Sequence, residues 1–136
     1  MPKAPLASNN NGKPMSNTIL HLVPAAYFQS LPASQSYLPE SFAADGFIHC
    51  TREPEVMFDI ANRFYKNLPG DVLVLVIDAD QVTSKIKWEP PADPDGAPTQ
   101  PEAGRLFPHI YGALNRDAIV AIRRANRSPD GTFLSI

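Results

Sequence analysis

Three histidines, His21, His49 and His109, each stand inside an apolar run: ILHLV, GFIHC and LFPHIYG. An imidazole buried in such a run must find a hydrogen-bond partner. A core built for stability alone would use Leu or Val there, so the three together point to a shared pocket that exploits histidine as both donor and acceptor. The two-residue period of a strand sharpens this. In GFIHC, Phe47 and His49 project to one face, with Ile48 and Cys50 on the other. In LFPHIYG, Phe107, His109 and Tyr111 share a face when the segment is extended. A row of aromatic ring, imidazole and phenol suits stacking on a planar ring while bonding to ribose or phosphate oxygens.

Other chemistries fit these residues less well. The histidines and Cys50 are widely spaced, and no pair resembles H-x-x-x-H or C-x-x-C, so no metal site is expected. A nucleophilic Cys50 would need a histidine beside it, and on an extended strand it points away from His49. There is no glycine-rich phosphate loop. The start of the helix expected after GFIHC is an anion site, where Thr51 would cap the helix and Arg52 would add a guanidinium. Arg63 reads as an exposed charge on that helix.

The elements that must position these residues follow from pattern. Thr18 to Val23 reads as a strand, and Pro24 opens a short helix to about Leu31. Residues 32–45 read as loop, and Gly46 to Cys50 as a strand. Val56, Phe58, Ile60, Ala61 and Phe64 recur at helical spacing, which predicts one main helix from Thr51 to Leu68, ended by Pro69-Gly70. VLVLVI at 72–77 has no alternation and predicts a central strand covered on both faces. Asp78 to Val82 reads as a helical turn, KIKWE at 85–89 as a half-buried strand, and AIVAI at 118–122 as the last strand. Short strands with one good helix give an α+β domain over residues 18–127, between flexible tails at 1–17 and 128–136. Residues 89–104 hold five prolines and four acidic residues, a long loop that reads either as an insertion or as a lid over the pocket.

Composition bounds the partners. A net charge of −2 argues against general nucleic-acid binding. The longest apolar run is too short to span a membrane. One cysteine and no export signal suit a cytoplasmic, reducing compartment.

An ILHLV opening followed by GFIHCT, VLVLVID, IKWEP and LFPHIYG resembles the bacterial family catalogued as domain of unknown function 952, from about Thr18 to Arg124. The resemblance implies an ADP-ribosyltransferase-like fold, two small packed sheets that bind NAD or an ADP-ribosyl compound between them. It sets His21 and His49 where the RNA 2′-phosphotransferase branch of that superfamily carries its first- and second-strand histidines. This sequence departs from the pattern in having Leu22 where many members have Gly after the first histidine, and His109 in place of a late catalytic Glu. On this reading His21 holds a ribose hydroxyl, His49 contacts the pyrophosphate or second ribose, His109 polarises, Tyr111 or Phe107 stacks on a ring, and Phe47 also touches the ligand. The alternatives are a non-catalytic sensor of a small anion and a metal-dependent hydrolase.

Overall fold

The computed structural model describes residues 17–90 and 106–136. The N-terminal tail up to residue 16 and most of the Pro-rich loop lie outside the described residues. The chain folds as an α+β protein of small antiparallel sheets and short helices.

One sheet has the order β1 (Thr18–Pro24), β3 (Val72–Asp78), β6 (Ile119–Arg124). β3 takes the middle because both its faces are apolar. Leu73, Leu75 and Ile77 point into one buried cluster, Val72 and Val74 into another. The second sheet has the order β2 (Ile48–His49), β5 (Phe107–Tyr111), β4 (Lys85–Glu89). Its Ile48 and Ile110 meet Ile19, Val23 and Leu75 of the first sheet in the larger core. Burying each such side chain contributes about 1.5–3 kcal/mol, so this shared core fixes the two sheets against each other.

The outer face of the first sheet is covered by α3 (Pro54–Phe64) through Met57 and Ala61. Shorter helices follow β1 (α1, Ala25–Ser30) and precede β2 (α2, Phe42–Asp45). Single 3-10 turns at Ala79–Gln81 and Arg116–Ala118 link the remaining strands.

Several boundaries differ from expectation; α3 ends at Phe64 rather than Leu68, and β2 covers only Ile48–His49 of the strand expected at Gly46 to Cys50. α3 begins at Pro54 with Glu53 as its cap, so Thr51 does not cap it. Thr51 is instead drawn into a two-way backbone bridge with Leu20, at 2.7 and 2.8 Å. Residues 32–45 are not plain loop: Tyr37 is fully buried and bridges Leu114. The C-terminal residues 128–136, expected as a tail, carry β8 (Phe133–Ser135), which pairs with β7 (Asn126–Arg127). Phe133 packs with Met57 and Ala61, and Asn62 holds the Phe133 backbone through both its amide atoms. A short polar run with one Phe gives little periodic signal, yet that ring closes the second core.

Candidate functional site

The bridge at Thr51 creates the site. β2 pairs with β5 through His49, and Cys50 still bonds to the Pro108 carbonyl at 3.1 Å. One residue later the chain has moved to the edge of β1. The sheets therefore fork at residues 49–51, and a cleft of about 710 Å3 opens there. Its lining includes His21, Tyr37, Phe47, His49, Thr51, Phe107 and His109, with an apolar arm along Leu20, Leu22, Ile60 and Phe64.

Register brings two histidines together. His49 and His109 are direct cross-strand partners, and their ring centroids stand 5.6 Å apart. The Phe47 ring lies 4.2 Å from His109 in a stacked arrangement, 4.6 Å from His49 and 5.3 Å from Tyr111. This is the shared face that the alternation of both segments predicts, with Ile48 and Cys50 in the core behind it.

Each of these imidazoles is held by a carboxylate. Asp45 ends α2, and Gly46 turns the chain at φ 81°, a left-handed conformation that glycine adopts without penalty. His49 Nε2 then donates to Asp45 Oδ2 at 2.9 Å, which leaves Nδ1 as the ring's other nitrogen. His109 Nδ1 donates to Glu89 Oε1 at 2.8 Å, and the Tyr111 hydroxyl donates to the same oxygen at 2.7 Å. His109 Nε2 remains. Those two bonds, Tyr111's above all, hold the Glu89 carboxyl below its ordinary pKa. Burial of the His109 ring lowers its pKa, with the Glu89 bond working against that shift. Tyr111 is raised, chiefly by giving its proton to the Glu89 bond.

His21 plays a different part. Its Nδ1 donates to the His49 carbonyl at 2.7 Å, so Nε2 must be the acceptor for the Tyr37 hydroxyl, also at 2.7 Å. Burial pushes its pKa down to about 4, and only the His49 carbonyl opposes the shift. Burial raises Tyr37 in turn. With both nitrogens engaged, His21 fixes the backbone of His49 and has none left for a ligand. The ribose contact expected of His21 would first have to displace one of these two bonds.

The remaining expectations divide. Phe47 and Phe107 line the cleft, and Tyr111 stands on the same sheet face behind Glu89. Thr51 lines the cleft through a buried position but spends its backbone on β1. Arg52 lies elsewhere, with its guanidinium 5.8 Å from the centroid of Trp88. An anion at the α3 N-terminus would face Glu53 and Glu55, so the expected Thr51–Arg52 phosphate site meets two carboxylates. Arg63 pairs with Asp59 along the helix at 2.8 Å. Cys50 is buried and its thiol is pushed up by desolvation, the opposite of an activated nucleophile. Among the described residues no group of three or more His, Cys, Asp or Glu is placed to hold a metal ion. No helix among them is long and apolar enough to cross a membrane.

Sequence reasoning missed Tyr37, Asp45 and Glu89. Glu89 carried a usable signal: in KIKWE it shares a face with Lys87 at the strand's end, yet it reads equally as the first residue of the acidic loop.

Fold and site define an α+β protein whose two small sheets fork around a cleft bearing paired histidine–carboxylate groups. Residues 22–122 match the model of the family described as "Protein of unknown function (DUF952)", and the chain belongs to that family. Among solved structures it is similar to the crystal structure of protein CC0527 from Caulobacter crescentus, at 21% identity and a TM-score of 0.66, over 86% of this chain and 93% of that one. The solution structure of the same Caulobacter protein matches at 20% identity and a TM-score of 0.61, over 85% and 90% of the two chains. At that identity the likeness shows the fold. No curated protein matches the chain.

Proposed function

We propose that this chain is an ADP-ribosyltransferase-like domain that binds NAD or a related ADP-ribosyl nucleotide by inserting one nucleoside end into the cleft. The observation that carries the reading is the pair His49 and His109, cross-strand neighbours beside Phe47, each oriented by its own carboxylate. Phe47 and Phe107 offer ring faces. His49 Nδ1 and His109 Nε2 are left for ribose hydroxyls. Leu20 turns its N–H and C=O outward to Thr51, so Leu22, two residues on, turns its own backbone groups the same way, toward the cleft it lines. That N–H and C=O pair matches a planar carboxamide, and since the backbone makes the match, Leu22 serves as well as Gly.

The cleft volume lies within the range of small-molecule and cofactor sites, which is roughly 300–1,000 Å3. The buried thiol of Cys50 is consistent with action in a reducing compartment such as the cytoplasm. Calorimetric titration with NAD and with ADP-ribose tests the binding, and proton NMR of the mixture detects released nicotinamide if the site also cleaves. Saturable binding of either compound supports the reading, and failure of both to bind overturns it.

A further inference from the structure

β6 is an outer strand of the first sheet, and among the described residues no strand pairs with its far edge. Such an edge is a template for another strand, and proteins commonly blunt it with charge, Lys above all. An outer strand of the second sheet is blunted in this way, since β4 carries the exposed Lys85 and Lys87. The far edge of β1 is partly taken by Thr51, through its bridge to Leu20. β6 has neither protection. Val120 is 49% exposed and Ile122 50%, with Ala121 between them, and the charges of the strand, Arg123 and Arg124, come only at its end.

The strand is complementary to itself. When a twofold axis passes through Ala121, two copies of β6 run antiparallel, and Val120 of each stands opposite Ile122 of the other. The half-exposed side chains of both copies then cover one another as cross-strand pairs. Arg123 falls opposite Ile119 of the other copy, two residues from the exposed Asp117, which a long side chain reaches on the diagonal. Neither Arg123 nor Asp117 has an ion-pair partner among the described residues; the Asp117 carboxylate accepts from the Asn115 amide. Twofold symmetry makes this charge pair twice. Sliding one copy by two residues toward its C-terminus would set Val120 against Arg124 instead, so pattern and charge select the same register. We propose that β6 is a self-association edge, along which a second copy of this chain pairs antiparallel and joins the two first sheets into one. The cleft is lined by β1, at the opposite edge of that sheet, so both clefts of the dimer stay accessible and the proposal stands apart from what they bind.

Sedimentation velocity of the full chain, from micromolar to millimolar concentration, reads the association directly. The expected result is a reversible rise from the 14.9 kDa of one chain toward twice that mass. Val120→Lys places a charge opposite Ile122 at an exposed position, so it should keep the fold by circular dichroism and weaken dimerisation by roughly tenfold or more. Asp117→Arg and Arg123→Asp should each weaken dimerisation, because each sets like charges together. The double variant carrying both changes restores opposite charges and should dimerise better than either single variant, a recovery that damage to the monomer alone would not give. A chain that stays monomeric at every concentration, a folded Val120→Lys variant that dimerises as well as the wild type, or a double variant no better than the singles would each overturn the proposal.

Discussion

Replacing His21 with Asn tests the corner of the fork from which the site hangs. The wild-type imidazole donates to the His49 carbonyl and accepts from Tyr37, in a place where Tyr37 is 0% exposed. Asn can restore the first bond and not the second, so the Tyr37 hydroxyl loses its acceptor. An unsatisfied buried hydroxyl costs about 1–3 kcal/mol, a large share of the ordinary stability of a domain. Acid provides the second half of the test. The folded pKa is about 4, against an ordinary 6.5. Between those values the unfolded chain binds more protons than the folded one, so stability falls as pH falls through that window and levels off below it. The difference corresponds to about 3 kcal/mol at most. Urea unfolding of both proteins at a series of pH values reads this directly. His21→Asn should be the less stable at pH 7, and the gap should narrow steadily as the pH is lowered to 4. A gap that stays constant across that range would refute the claim that His21 is buried neutral.

The other expectations concern separate parts of the molecule. Phe133→Ala should cost about 3–5 kcal/mol in chemical denaturation, because the ring is buried against α3, whereas a true tail residue would cost nothing measurable. Cys50 should resist iodoacetamide in the native protein at pH 8 and react promptly in urea, as mass spectrometry would show; fast native alkylation would contradict its burial. His109→Ala and His49→Ala should each weaken NAD binding by roughly tenfold or more in calorimetry, while His49→Ala leaves the melting temperature nearly unchanged because its side chain is 40% exposed.

What the sequence made legible was local. Alternation in GFIHC and LFPHIYG placed Phe47 with His49, and His109 with Tyr111, on shared strand faces, and the unbroken VLVLVI run located the middle strand. What it hid depends on pairing between distant segments. His49 meets His109 across sixty residues of chain only because β2 and β5 share a register. Glu89 becomes a partner of His109 because β4 flanks the same strand, and nothing in KIKWE itself says which strand it joins. His21 looked like a ligand group because its residue type and apolar setting are equally those of a structural bridge. Only the Tyr37 hydroxyl and the His49 carbonyl at its two nitrogens decide between them. Thr51 had the side chain of a helix cap, but the edge of β1 claimed its backbone, so the helix starts at Pro54.

The central claim is that His49 and His109 face a bound nucleotide while His21 does not. Protein labelled at its histidine rings, followed by carbon–proton correlation NMR as NAD is added, separates three imidazoles in one experiment. The account predicts saturable shifts of the His49 and His109 ring signals together, with a far smaller change at His21. Shifts concentrated at His21, or none at His49 and His109 while NAD binds, would contradict it.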